Sequence, residues 1–147
     1  MKVSTKGRYA LRLMVDVALH SGGEFVTLRE VSKRQNISVK YLEQIVAQLT
    51  RAGMLKSNRG PQGGYKLTKE ASEYTAGDIL RVTEGSLAPV SCIENCGADC
   101  DMYGICPTVD FWKQVYDAIL NVVDNTTLED LAEQTKRKLG TESDYII

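Results

Sequence analysis

No run of apolar residues in this 147-residue chain is longer than three. Nothing in it is therefore long enough to cross a membrane or to form the apolar middle of a secretory signal, and the expectation is a cytoplasmic protein with no membrane partner. There is no C-x-x-C pair, which argues against zinc knuckles and against a thiol-exchange enzyme, and no other pattern reads as a substrate pocket. No catalytic residue is assigned and no enzyme is expected. Histidine occurs once, as His20, far in sequence from every cysteine, so it reads as a surface or core residue rather than a ligand. Internal repeats and low-complexity tracts are also missing. What is present, at 43% hydrophobic residues, suffices for a buried core in one domain of ordinary size.

The formal net charge of -1 conceals a division. Residues 1–69 carry 13 Lys/Arg against 4 Asp/Glu, net +9, and residues 70–147 carry 5 against 15, net -10. A basic first half joined to an acidic second half is the asymmetry expected when one half meets a polyanion. Nucleic acid is the first candidate.

Apolar periodicity places a helix over Thr5–His20, with Tyr9, Leu13, Met14, Val17 and Ala18 on one face. Thr27-Leu-Arg-Glu30 has the form of a capping box and predicts a short helix over Leu28–Gln35. Asn36 tolerates a turn and Ser38 offers a second N-cap. A third helix then runs over Val39–Ala52, burying Leu42, Ile45, Val46 and Leu49, before Gly53 stops it. Three short helices with a tight turn between the last two spell helix-turn-helix.

Met54–Asn58 and Tyr65–Thr68 read as strands around the turn Arg59-Gly-Pro-Gln-Gly-Gly64, a wing behind the recognition helix. Thr75-Ala-Gly-Asp78 caps a helix through Glu84. Gly85–Pro107 has no helical periodicity and contains all four cysteines. Val109, Trp112, Val115, Tyr116, Ile119, Val122 and Val123 then form a stripe too apolar for a lone surface helix, one that needs a partner face. Thr126-Thr-Leu-Glu129 caps a last helix to Leu139, and Gly140–Ile147 has little to hold it. The expected fold is mainly α with a small β-hairpin. A winged helix-turn-helix (1–85) precedes a cysteine-rich loop (86–107), a long helix with a C-terminal helix (108–139) and a flexible tail (140–147).

The first turns of a helix in the major groove touch base edges, so Val39, Lys40, Tyr41, Glu43 and Gln44 are the candidate readers. Gln44 can pair with adenine through two hydrogen bonds, and Glu43 can accept from a cytosine amino group while repelling phosphate. Lys6, Arg8, Arg29, Lys33, Arg51 and Lys56 are candidates for phosphate contacts, and Arg59 at the wing tip for a narrow minor groove. Tyr41 reads equally well as base contact or packing.

Cys92, Cys96, Cys100 and Cys106 form a C-x3-C-x3-C-x5-C array. In a reducing compartment such density points to metal or redox chemistry rather than structural disulfides. Thiolates suit an iron–sulfur cluster held by a flexible, Gly-containing loop, with reversible thiol sensing and zinc as the other readings. Trp112 and Tyr116 read as packing within the apolar stripe.

Ser4-Thr-Lys-Gly-Arg-Tyr9, Tyr41-Leu-Glu-Gln44, Arg59-Gly-Pro-x-Gly-Gly-Tyr65 and the downstream cysteines together resemble the Rrf2 family of winged-helix transcription regulators, over residues 1–139. Within that family the chain most resembles the branch that regulates iron–sulfur cluster assembly. The resemblance implies a homodimer joined through the long helix, so that the Val109–Val123 stripe becomes the dimerisation surface, bound to double-stranded DNA operators. It also implies a [2Fe-2S] cluster, received from the iron–sulfur assembly machinery and held by Cys92, Cys100 and Cys106, whose occupancy represses cluster-assembly genes. Two departures stand out. The first cysteine interval is long, so Cys96 competes for a place, and Val109 stands where the family can use a histidine as fourth ligand. Cys96, Asp110 and Glu43 are the candidates for that role. The nitric-oxide-sensing branch can use an aspartate where this chain has Arg8. Further branches regulate cysteine metabolism through a partner enzyme without a cluster, or respond through thiols.

Overall fold

A computed structural model describes residues 2–145, with side chains through residue 140. Helix α1 (Thr5–His20) starts where the Ser4 hydroxyl accepts the Gly7 N–H at 3.1 Å. Its inner face buries Ala10, Leu13, Met14 and Val17. Asp16 on the same face is fully buried. Arg34 holds it with a forked pair of hydrogen bonds, including 2.8 Å from Nη2 to Oδ1, and Gln35 adds another at 3.0 Å. A carboxylate out of water is tolerated only when paired and hydrogen-bonded in this way.

Helix α2 (Leu28–Gln35) opens with the expected capping box: Glu30 N–H donates to the Thr27 hydroxyl at 3.2 Å and Thr27 N–H to the Glu30 carboxylate at 3.0 Å. Those bonds hold the Glu30 carboxyl below its ordinary pKa. Asn36 takes the left-handed conformation at φ 55°, turning the chain into α3 (Val39–Arg51), which Ser38 caps. Leu42, Ile45, Val46 and Leu49 of α3 join Leu13, Met14, Leu55, Ile79 and Leu128 in one continuous core. Each fully buried aliphatic side chain contributes about 1.5–3 kcal/mol.

Strands β1 (Leu55–Asn58) and β2 (Gly64–Leu67) pair antiparallel, Leu55 with Leu67 and Lys56 with Lys66. Val26 covers the hairpin's free edge by exchanging two backbone bonds of 2.8 Å with Tyr65. Helix α4 (Ala76–Glu84) carries the expected Thr75–Asp78 capping box. The segment expected to lack helix holds one turn, α5 (Ser91–Glu94), and a 3-10 turn at Tyr103–Ile105. Both are shorter than the repeat through which apolar periodicity declares itself.

Helix α6 (Val109–Val123) leads through a short corner into α7 (Leu128–Tyr145). The cap of α7 stands one residue later than expected. Thr127 and Asp130 form the reciprocal pair, at 2.9 and 3.0 Å, while Thr126 turns back to donate to the Val122 carbonyl at 2.7 Å. The sequence offers both registers, and pairing of the corner with Tyr74–Ala76 selects the later one. The helix continues past Leu139 to Tyr145, because each polar residue added to an existing helix still gains a backbone bond. Residues 146 and 147 of the expected tail lie outside the described residues. Among the described residues no helix is long and apolar enough to cross a membrane.

Candidate nucleic-acid interface and cysteine loop

The inward residues of α3 leave its first two turns facing out, with Val39, Lys40, Glu43 and Gln44 exposed. Arg29 and Lys33 of α2 are exposed beside them, as are Arg8 on α1 and Arg59 and Lys56 on the wing, while Lys6 is half-buried. Tyr41 is half-buried and sets its ring edge-on against Tyr9, centroids 5.7 Å apart, with Arg12 over the Tyr9 ring at 5.1 Å. Arg12 also bonds the Gln35 side chain at 3.2 Å. These contacts bring the basic first turns of α1 beside the α2–α3 turn. Arg51 stands apart, about 18 Å from Val39 along the axis of α3 at 1.5 Å per residue. Arg34, held by Asp16, is occupied.

Sequence reasoning passed over Lys66. It lies opposite Lys56 in the hairpin register, with its ammonium 4.7 Å from the Phe25 ring centre. Two lysines facing each other repel in isolation, which suits a surface that meets an anion. Strand alternation around the turn was the available signal.

In the cysteine loop, Gly97 N–H donates to the Cys92 carbonyl at 2.8 Å, Cys100 N–H to the Gly97 carbonyl at 3.0 Å, and Tyr103 N–H to the Cys100 carbonyl at 3.2 Å. Gly97, at φ 79°, lies against the Tyr103 ring, which would overlap any side chain there. Lys113 of α6 places its ammonium 5.3 Å from the same ring centre. Cys92, Cys100 and Cys106 are half-buried, whereas Cys96 is exposed with φ 55°. The Thr108 hydroxyl, 3.4 Å from the Cys106 sulfur, pushes that thiol's pKa down. Among the described residues no three His, Cys, Asp or Glu side chains gather closely enough to hold a metal ion. The thiols are thus chemically suited to a cluster but are not assembled around one.

Around α6 the apolar stripe divides. Val109 is buried, and Trp112, Tyr116, Ile119 and Val123 are half-buried on the side that meets the rest of the chain, Ile119 and Val123 beside Leu80 of α4. Val122 stands on the outer side with Phe111 and Ala118, and Val115, half-buried, lies at the margin between the two sides. Phe111 is 56% and Val122 63% exposed. The steps 111, 115, 118 and 122 follow the four-three spacing of a helix seam, a signal already present in the sequence.

The model of the Rrf2 family, described as "Iron-dependent Transcriptional regulator", matches residues 3–134. The chain belongs to the Rrf2 family. This Rrf2 protein is similar to the HTH-type transcriptional regulator CymR of Bacillus subtilis, 42% identical over 135 residues, 92% of each chain. It is also similar to the HTH-type transcriptional regulator IscR of Vibrio atlanticus, 38% identical over 136 residues, 92% of this chain and 78% of that one. Among solved structures, that of B. subtilis CymR, titled the global cysteine regulator, superposes with TM-score 0.77 at 42% identity over 91% of this chain and 98% of that one. T. potens IscR superposes with TM-score 0.74 at 39% identity, over 92% of this chain and 88% of that one. As an Rrf2 protein this chain is a DNA-binding transcription regulator with a winged-helix fold, not an enzyme.

Proposed function

We propose that this regulator works in the cytoplasm as a homodimer on double-stranded operators, and that Cys92, Cys100 and Cys106 hold a [2Fe-2S] cluster whose occupancy controls cluster-assembly genes. The observation that carries the reading is the division among the four thiols. Three are half-buried, and one of them, Cys106, is biased toward thiolate, whereas Cys96 points out to solvent. A bound cluster supplies a crosslink among soft anionic donors that forms and is lost with iron and oxidant supply. The iron–sulfur assembly machinery is its source in this reading.

The chain's own residues supply the rest. The loop leaves α4 at Gly85 and enters α6 at Val109, so drawing the three cysteines together pulls on both helices. Glu84, at the end of α4, accepts from the Ser4 N–H at 2.9 Å and the Ser4 hydroxyl at 2.5 Å, which ties that helix to the start of α1 and its basic residues. Only a difference in DNA affinity between the two loop states makes a switch, and a coupling of about 1–3 kcal/mol is typical. Fourth-ligand candidates remain Cys96, Asp110 and Glu43.

Iron and sulfide content with an absorbance spectrum, measured on protein prepared without oxygen, tests this for wild type and each Cys→Ala variant. Loss of colour is expected for Cys92, Cys100 and Cys106, and the Cys96 variant decides whether that thiol is the fourth ligand. Colourless wild-type protein overturns the cluster, and operator footprints of equal strength with and without it overturn the switch. A second reading, control of cysteine metabolism through a partner enzyme, is favoured by the ungathered thiols and by the 42% identity to CymR, and colourless protein would support it.

A further inference from the structure

Tyr74 stands where the wing meets the α6–α7 corner, and it bonds to both. The residue is 3% exposed. Its hydroxyl has one proton and two lone pairs, and all three are used. It accepts the backbone N–H groups of Thr68 and Lys69, each at 3.0 Å, and donates to the Met54 carbonyl at 2.9 Å. The Thr68 hydroxyl, 2.9 Å away, donates to the Gly53 carbonyl at 2.7 Å. Met54 immediately precedes β1, and Thr68 and Lys69 immediately follow β2. One phenol therefore ties both ends of the hairpin at its root.

The backbone of the same segment faces the other way. The Tyr74 carbonyl accepts the Leu128 N–H at 2.9 Å, Ala76 N–H donates to the Thr126 carbonyl at 2.8 Å, and Thr75 and Thr127 form an antiparallel bridge. Leu128, with no exposed surface, anchors this corner in the core. A two-stranded hairpin is marginal by itself, so its direction is set by what holds its root.

We propose that Tyr74 is a positioning residue for the wing: its hydroxyl seats the hairpin on the α6–α7 corner, and the placement of Arg59 on DNA depends on a side chain that touches no DNA. The inference rests on the operator-binding reading above. Its structural half can be tested without DNA.

Tyr74→Phe keeps the ring in the core and removes the three bonds. In the free protein, hydrogen exchange is expected to speed up at Lys56, Lys66, Thr68 and Lys69 and to stay unchanged at Ile45 and Leu49. The DNA probe is a duplex selected by the wild-type protein from a random-sequence pool. On it, Tyr74→Phe is expected to weaken binding about tenfold in the wild-type background and less than about twofold in an Arg59→Ala background, since residues acting through one contact are not additive. Wing amides that remain protected overturn the proposal, as does an equal loss in both backgrounds. A variant that fails to fold overturns it too, by making the hydroxyl a support of the core. If the wild type selects no duplex, the operator reading falls, and the exchange rates still decide whether Tyr74 seats the wing.

Discussion

Arg81 donates two parallel hydrogen bonds of 2.8 Å to the two carboxylate oxygens of Asp124, joining α4 to the end of α6. Gly77, one turn before Arg81, leaves the carboxylate the room that a methyl group would take. A glycine that weakens a helix in isolation here makes space for the bond between two helices. The cysteine loop spans the same two helices, so this pair bears directly on how loop and winged domain sit together.

Asp124 is held below its ordinary pKa chiefly by the Arg81 hydrogen bonds, which outweigh the opposing effect of burial, and that residue's charge adds a smaller pull in the same direction. A lowered carboxylate pKa means that the pair's contribution is fully present above the ordinary aspartate value and is lost as pH falls through the lowered one. Both side chains are more than a third exposed, so the contribution is about 0.2–1 kcal/mol. Thermal unfolding of wild type and Asp124→Asn should show a gap that is constant from about pH 5 to 7 and closes below about pH 4. A gap that does not change with pH removes the pair as its cause.

At the proposed DNA surface, Arg59→Ala should weaken operator binding and alter preference where the minor groove is narrow. Gln44→Ala should cost about 1–3 kcal/mol at one base pair and leave nonspecific binding nearly intact. Titrations against single-base operator variants separate the two effects. A uniform loss for Gln44→Ala would make that residue structural, and unchanged affinity for Arg59→Ala would remove the wing from the interface.

The outward seam of α6 predicts where a second copy docks. Val122→Glu and Phe111→Glu each place a charge on a face that is exposed in the single chain, so folding of the protomer is expected to survive. In an interface the same charge goes unpaired, and dimer dissociation should strengthen by at least about tenfold. Sedimentation equilibrium reads this directly. Dimer mass unchanged in both variants would move the interface elsewhere.

The basic half was the more legible part of the sequence. Capping boxes, the Asn36 turn and the glycines around Arg59 act over three to six residues, and local rules therefore place α1 to α4 and the wing with small shifts at their ends. The α7 cap was missed by one position because Thr126 and Thr127 satisfy the same local rule. The α6 stripe merged an inner and an outer face, since apolar character alone does not say which side meets its own chain. Phe111 was left out for that reason, although its spacing to Val115, Ala118 and Val122 was visible.

Local sequence determined the elements, the basic half and the thiol-rich loop, because periodicity, caps and charge act between near neighbours. The tertiary structure decided which groups meet across long separations: Asp16 with Arg34, Ser4 with Glu84, Arg81 with Asp124, and Tyr74 with both the wing root and the α6–α7 corner. Burial makes the pairings of Asp16 and Tyr74 compulsory, because a polar group taken out of water must find a partner, whereas the part-exposed pairs Ser4–Glu84 and Arg81–Asp124 meet because the packed helices bring them within reach.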